Sequence, residues 1–158
     1  MRIHDITTCD VNNGEGFRVT LWVAGCSHHC PGCQNPETWD PQGGQPFGQK
    51  AHDYLFEELA KPYIHGLTLS GGDPLDSFDD ILPLVREVKT KMPQKDIWVY
   101  TGYTIEQIES SRLKDIMPYV DVIVDGPYVE SKRDVTLAFR GSSNQHIVRL
   151  KDGKVISM

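Results

Sequence analysis

The chain has 158 residues, of which 39% are hydrophobic and 24% are charged. This composition is typical of a globular protein with a buried core, and we interpret residues 1–158 as a single domain. The net charge is -6 and the sixteen Lys and Arg residues form no basic run, which argues against a nucleic-acid partner. Because no signal sequence and no membrane-spanning apolar stretch is recognisable, we expect a cytoplasmic protein that does not enter a membrane.

Strand-like and helix-like segments alternate along most of the chain. β-rich runs predict strands at residues 18–24, 67–70, 97–101 and 120–124. Helices are predicted between them at residues 51–61 and 77–91, with Ser77 as the cap of the second, and from Thr104 onward. Residues 35–50 contain several Pro and Gly residues, which favours a long surface loop.

The alternation ends after Tyr128, where a polar segment predicts an irregular or lid-like structure. Asp152 and Gly153 then separate two alternating runs, which indicates a C-terminal β-hairpin and the only antiparallel element that the pattern predicts. We therefore expect an α/β fold: an open, incomplete (β/α) barrel of mostly parallel strands with a C-terminal hairpin. Sequence motifs that follow the strands are expected to meet at one edge of the sheet.

Three cysteines, Cys26, Cys30 and Cys33, lie within the eight residues CSHHCPGC. In a reducing cytoplasm they indicate a metal or redox site and not disulfides. One interpretation is a structural zinc site whose fourth ligand is Cys9, His28 or His29. The other is a 4Fe-4S cluster held by three thiolates, which leaves one iron open for a small molecule.

A candidate site for that small molecule follows the second predicted strand, in the sequence GGDP. Gly71 and Gly72 allow the backbone to approach a ligand closely, and the carboxylate of Asp73 is suited to bind an ammonium group. A glycine pair after a strand is also common in ordinary tight turns. The prediction gains weight because the turn and the cysteines are expected at the same edge.

The CxxxCxxC pattern in a loop after a strand resembles the hallmark of the radical S-adenosylmethionine superfamily. Further segments resemble the branch of that superfamily that activates anaerobic ribonucleoside-triphosphate reductase: NNGEGFRVTLWVAGCSHHCPGCQNPETW, LTLSGGDPL, DIWVYTGY, DVIVDGPYV and FRGSSNQ. The resemblance implies that a 4Fe-4S cluster on Cys26, Cys30 and Cys33 binds S-adenosylmethionine at its open iron. One-electron cleavage would then give a 5′-deoxyadenosyl radical, which removes a hydrogen atom from a glycine of the reductase large subunit.

The same resemblance implies roles for residues around the cysteines. Gly71, Gly72 and Asp73 would line the methionine end of S-adenosylmethionine, and the backbone from Gly32 to Gln34, including Cys33, would face the adenine. Thr101 and Asp125 are candidates for the ribose or carboxylate side, although a polar residue at a strand end is as often a turn or helix cap. The reaction would also need a low-potential electron donor such as flavodoxin.

Two alternatives remain open from the sequence. The chain could be a radical S-adenosylmethionine enzyme that acts on a small molecule or on another glycyl-radical enzyme, since such enzymes share the cysteines and GGDP. It could also be a non-enzymatic zinc-binding module. The zinc module predicts one tightly held metal ion and no cleavage of S-adenosylmethionine.

Overall fold

Within residues 1–33 and 36–158, eight strands form one open sheet with parallel strands at its centre. The computed structural model describes residues 1–33 and 36–158. The strands, in chain order, are β1 (Arg2–Asp10), β2 (Arg18–Val23), β3 (Gln45–Pro46), β4 (Gly66–Gly71), β5 (Asp96–Tyr100), β6 (Val122–Asp125), β7 (His146–Lys151) and β8 (Lys154–Ser157). Their order across the sheet is β3-β1-β2-β4-β5-β6-β7-β8.

Helices connect the parallel strands β2, β4, β5 and β6. The α-helices are α1 (Gln49–Leu59), α2 (Phe78–Lys91) and α3 (Ile105–Glu109). Each lies between two neighbouring parallel strands in the chain, which is the arrangement that parallel pairing requires. The register places Thr20 beside Thr68 and Thr68 beside Trp98 across three adjacent strands.

The central strands carry a different cluster of side chains on each face, because successive residues of a strand point in opposite directions. On one face, Leu67, Leu69 and Val99 belong to a fully buried core that the helices complete. On the other face, a smaller cluster contains Trp98, Val122 and Val124, with Tyr100, Phe139 and Ile147 packed against it. Within the described residues, no helix contributes to this second cluster, so we call that side the helix-free face.

The predicted fold is confirmed in its main features. The protein is α/β, the sheet is open, the strands at its centre are parallel, and residues around Asp152 and Gly153 form the β7–β8 hairpin. The partial-barrel curvature stays a prediction, because strand pairing fixes only the order and direction of the strands. The irregular segment is confirmed: between β6 and β7 the structure has a short 3-10 helix at Glu130–Lys132 and an isolated bridge between Arg133 and Ser142.

The expectation that the hairpin is the only antiparallel element is wrong. Strand β1 was not predicted, yet it pairs antiparallel with both β2 and β3. Its pattern is hard to recognise because the β1–β2 register shifts twice and Cys9 has a positive φ of 54°. Such irregularities break the alternation of apolar and polar residues by which strands are identified.

No helix among residues 1–33 and 36–158 is long and apolar enough to cross a membrane.

Candidate active site

A cleft of about 540 Å³ opens where the parallel strands end and continues along the helix-free face. Motifs that follow four different strands contribute to its walls, as expected for the carboxyl edge of a parallel sheet. The residues that line it include Asn12, Asn13, Cys26, His28, Cys30, Cys33, Trp39, Gly71, Gly72, Asp73, Tyr100, Thr101, Gly102, Val124, Gly126, Arg133, Phe139 and Arg140. The prediction that the motifs meet at one edge is therefore confirmed.

The cysteine loop begins directly after β2 and is held by backbone hydrogen bonds. The amide N–H of Gly25 donates to the Thr38 carbonyl over 2.7 Å, and that of Cys26 donates to the Trp39 carbonyl over 3.1 Å. A turn closes the far end of the loop, where the Cys33 amide donates to the Cys30 carbonyl over 3.0 Å. These bonds direct the loop back over the end of the sheet, so all three cysteines lie in the wall of one cleft.

The GGDP turn lies against the cysteine loop and has no room for side chains at its two glycines. Gly71 has a φ of +106°, and a Cβ there would collide with the backbone of Val23. Gly72 has no space because a Cβ would meet the carbonyl oxygens of Gly25 and Thr38. The amide of Asp73 donates to the Gly25 carbonyl over 2.7 Å, so the turn and the start of the cysteine loop form one packed unit.

Asp73 is 1% exposed and joins three parts of the site. Its carboxylate accepts hydrogen bonds from the Thr101 hydroxyl at 2.9 and 3.0 Å and from the Gly102 amide at 2.9 Å. It also accepts from the Leu75 amide at 3.0 Å, and His28 Nε2 lies 2.6 Å from Asp73 Oδ2. The carboxylate therefore holds the cysteine loop, the GGDP turn and the end of β5 in fixed relation.

A second carboxylate supports the same loop from the outside. Asp76 accepts from the Ser27 amide at 2.8 Å and from the Tyr103 hydroxyl at 2.6 Å. His28, Asp73 and Asp76 each have one atom that could ligate a metal ion, and these atoms lie within 4.8 Å of one another. Since hydrogen bonds within the protein already use these atoms, the three side chains stabilise the position of the cysteine loop.

The electrostatic environment favours the neutral form of Cys26. Burial raises the pKa of its thiol, and the carboxylates of Asp73 and Asp76 raise it further, against the amides of His28 and His29, which lower it. The hydrogen bond with Asp73 raises the pKa of His28. Metal binding at Cys26 must displace the thiol proton, so that binding becomes more favourable as the pH rises.

The amino-acid sequence matches a known protein family over most of its length. Residues 12–148 match the profile of a 4Fe-4S single cluster domain. The chain is 42% identical over 155 residues to the anaerobic ribonucleoside-triphosphate reductase-activating protein of Salmonella typhimurium, covering 96% of this chain and 100% of that protein. The chain belongs to the family of anaerobic ribonucleoside-triphosphate reductase-activating proteins.

Other members of this family show the same extent of similarity. The protein of that name from Escherichia coli is 41% identical over 155 residues, covering 96% of this chain and all of the relative. The one from Enterobacteria phage T4 is 44% identical over 155 residues, covering 97% of each. The resemblance to the radical S-adenosylmethionine branch that activates this reductase is therefore confirmed, and a 4Fe-4S cluster is the cofactor.

The donors in the cleft suit such a cluster. Cys26, Cys30 and Cys33, each with a thiol side chain, all line the cleft. The alternative fourth ligands considered for zinc are placed differently: Cys9 is exposed on β1, and His28 is engaged by Asp73. His29 stacks on Trp39 with ring centroids 4.7 Å apart. Among the residues that the structure describes, three thiols without a fourth available ligand match a cluster with one open iron better than a closed tetrahedral zinc site.

The remaining predicted site residues have different positions. Gly32 is exposed in the cysteine loop beside the carboxylate of Glu130, while Gln34 lies outside the described residues. Thr101 is buried in the cleft wall and bonded to Asp73. Asp125 is 1% exposed and accepts from the amides of Ile105 at 2.8 Å and His146 at 2.9 Å, and its neighbours Val124 and Gly126 line the cleft.

Sequence reasoning missed several residues that line the cleft. The Tyr100 hydroxyl and Trp39 Nε1 are buried polar atoms without a hydrogen-bond partner among the described residues. Asn12 and Asn13 reach the cleft from the unpredicted β1–β2 connection. Alternation along residues 97–101 places Trp98 and Tyr100 on the same face, but the sequence does not reveal that this face has no helix cover.

The GSSNQ segment, which helped to identify the family, has a clear structural role. Gln145 Oε1 accepts from the amides of Gly141 and Ser142 at 2.9 and 3.1 Å, and its Nε2 donates to the Gly126 carbonyl at 3.0 Å. Asn144 Nδ2 donates to the Pro127 carbonyl at 2.8 Å. These bonds fasten the irregular segment to the end of β6, so that it forms a wall of the cleft.

Proposed function

We propose that this chain activates anaerobic ribonucleoside-triphosphate reductase by forming a glycyl radical on its large subunit, with the cluster held by Cys26, Cys30 and Cys33. The supporting observation is the meeting of these three cysteines and the GGDP turn in one cleft. The names of the relatives give the reductase as the target. We further propose that residues 1–158 act as one radical S-adenosylmethionine domain.

The cluster, when bound, supplies one electron that breaks a carbon–sulfur bond of S-adenosylmethionine, and the overall reaction yields methionine, 5′-deoxyadenosine and the glycyl radical. In this proposal Gly71, Gly72 and Asp73 line the methionine end of the cleft. The narrow turn lets backbone groups approach the ligand, since side chains at either glycine are excluded. Asp73 fixes the turn against His28 and Thr101 while it presents its edge to the cleft.

The adenosine side of the ligand is assigned to other residues. We propose that the backbone of Gly32, Cys33 and Gln34 faces the adenine. Thr101 would contact the ribose or carboxylate side from the end of β5. Asp125 is proposed to serve the same side, and its bonds to Ile105 and His146 hold the end of β6 in position.

The electron source belongs to the same proposal. A single-electron reductant of low potential, such as flavodoxin, would reduce the cluster between turnovers. We propose a cytoplasmic location because the exposed Cys9 and the cluster ligands require reducing surroundings to stay as thiols.

Cysteine variants test the ligand assignment. The variants Cys26→Ala, Cys30→Ala and Cys33→Ala are each expected to lose cleavage of S-adenosylmethionine and glycyl-radical formation by at least about 100-fold, because cluster assembly needs all three thiolates. Cys9→Ala is the matched control and should keep both activities, since Cys9 lies outside the cleft. The measurements are 5′-deoxyadenosine by chromatography and the radical on the reductase by electron paramagnetic resonance.

Equal loss of activity in the Cys9 variant would contradict the three-ligand assignment. Cleavage without any radical on the reductase, by the intact protein under the same conditions, would instead contradict the assigned target.

A further inference from the structure

The cleft extends beyond the part assigned to the cluster and S-adenosylmethionine. Its outer half, at the carboxyl edge of the sheet, contains the cysteines and the GGDP turn. Its inner half lies on the helix-free face and is lined by Asn12, Asn13, Tyr100 and Phe139. The Thr68 hydroxyl donates to the Asn13 carbonyl at 2.6 Å, and Thr68 is about 10 Å along the strand from Gly71 at 3.3 Å per residue.

Tyr100 presents a buried hydroxyl to this inner half. Its side chain points to the same face as Trp98, and the hydroxyl has no hydrogen-bond partner among the described residues. Burial raises the pKa of Tyr100 well above its usual value; Arg18 lowers it by a smaller amount, and Asp10 raises it. The phenol is therefore neutral at physiological pH and can donate a hydrogen bond.

An unpartnered buried hydroxyl is unfavourable and requires an explanation. The charged groups near Tyr100, Arg18 and Asp10, are already engaged. Arg18 is 0% exposed and bonds to Thr68, Leu67 and Asp96. Asp10 accepts from the Thr20 hydroxyl at 2.8 Å and from Asn13 Nδ2 at 2.7 Å.

The inner half therefore offers neutral polar and aromatic groups to a ligand. Among the charged residues of the lining, Arg133, Asp134 and Arg140 belong to the irregular segment, and Asp73 belongs to the GGDP turn. Amide groups of Asn12 and Asn13, a phenol donor and the ring of Phe139 suit an uncharged polypeptide backbone. They suit a carboxylate or phosphate less well, because Arg18, the cation that acts on Tyr100, is already bonded to Thr68, Leu67 and Asp96. The buried Trp98 packs edge-to-face on Phe139, with ring centroids 5.2 Å apart, and supports it from behind.

We propose that Tyr100 donates a hydrogen bond to a main-chain carbonyl of the glycine-bearing segment of the reductase and thereby positions the glycine in the cleft. This inference rests on the proposed function and adds a substrate-positioning residue to it. The segment lies along the inner half of the cleft, and its glycine faces the outer half where S-adenosylmethionine binds. A glycine has no side chain to obstruct such a narrow approach.

The experiment compares Tyr100→Phe with Tyr54→Phe, a matched loss of a phenol oxygen from the exposed part of α1. Tyr100→Phe should cleave S-adenosylmethionine at the wild-type rate in the absence of reductase. With full-length reductase, it should yield roughly 5- to 10-fold fewer glycyl radicals per 5′-deoxyadenosine, the effect of one lost neutral hydrogen bond. Tyr54→Phe should leave this ratio unchanged.

A binding measurement supplies a second readout that does not depend on the cluster. Affinity of the cluster-free protein for the reductase, measured by calorimetry, should fall roughly 5- to 10-fold in Tyr100→Phe. The Tm of Tyr100→Phe should equal or exceed that of the wild type, since the lost hydroxyl has no hydrogen-bond partner among residues 1–33 and 36–158.

Three other outcomes would contradict the proposed contact between Tyr100 and the reductase. Unchanged coupling and affinity would mean that the hydroxyl does not contact the reductase. A raised KM for S-adenosylmethionine without reductase would place the hydroxyl on that ligand, and a lowered Tm would place it in an internal contact. Failure of the wild type to form 5′-deoxyadenosine or the radical would instead reject the proposed function itself.

Discussion

At the residue scale, Asp73 shows how one carboxylate organises the site. The sequence pattern GGDP predicted a ligand-binding turn, and the structure places Asp73 in the cleft wall at 1% exposure. The pattern did not reveal that His28 and Thr101 bond to the same carboxylate. These residues are 45 and 28 positions away in the chain, so their contact depends on the fold and leaves no local signal.

Replacement of Asp73 tests this organising role through stability. Asp73→Ala leaves buried donors from Thr101, Gly102 and Leu75 without an acceptor, and we expect the free energy of unfolding to fall by about 2–4 kcal/mol. Denaturant unfolding of the cluster-free protein measures it. Asp115→Ala, at an exposed position, is the control and should change stability by less than about 0.5 kcal/mol. A loss of the same small size in both variants would show that Asp73 does not hold the site together.

His28 and Cys9 mark the limits of reasoning from residue type. The sequence offered both as a possible fourth zinc ligand, yet His28 is half-buried against Asp73 and packs edge-to-face on Tyr103 at 4.6 Å. Cys9 is exposed on β1. Burial of single residues in irregular loops depends on distant partners, and residue type alone indicates it poorly.

At the element scale, two predicted helix caps differ in their side-chain hydrogen bonds. Thr104 caps α3 as expected, and it forms a capping box with Gln107 in which both reciprocal bonds are present. Ser77 precedes α2 but makes no side-chain capping bond. There a short 3-10 helix at Pro74–Ser77 comes first, and Asp73 caps it by accepting from Leu75. The predicted N-cap position of Ser77 is therefore confirmed, but the side-chain hydrogen bond of a cap is absent.

The two caps provide a matched pair of substitutions. Thr104→Ala should lower the free energy of unfolding by about 1 kcal/mol, the usual value of an N-cap hydrogen bond. Ser77→Ala should lower it by less than about 0.5 kcal/mol, since no capping bond is lost. Thermal or denaturant unfolding of both variants under one set of conditions gives the comparison. Equal losses at the two positions would contradict the assigned caps.

The predicted elements differ from the observed ones in a systematic way. Parallel strands such as β4 and β5 were located within one or two residues, because their apolar runs are bounded by glycines, prolines or polar turns. Strand β1 was missed because its bulges and the positive φ of Cys9 interrupt the alternation. Helix α1 was also found, although it begins at Gln49, two residues earlier than expected.

At the scale of the whole molecule, the two faces of the sheet have different roles: one packs the main core and the other carries the cleft. The helix-covered face contains the main apolar core, including Leu67, Leu69 and Val99. The helix-free face carries the cleft and buried polar residues such as Thr20, Thr68 and Arg18. The sequence predicted the strand-helix order and the shared edge of the motifs. It did not predict the inner half of the cleft, because a strand buried on both faces gives the same apolar signal whichever face a helix covers.

The most direct test of the account is the amount of 5′-deoxyadenosine formed by the intact protein. The protein is reconstituted anaerobically with iron and sulfide and given S-adenosylmethionine and a strong reductant, and its iron and zinc contents are measured in parallel. We expect about four irons per chain and 5′-deoxyadenosine formation that depends on the reductant. Stoichiometric zinc together with no 5′-deoxyadenosine would contradict it and would make CSHHCPGC a structural metal site.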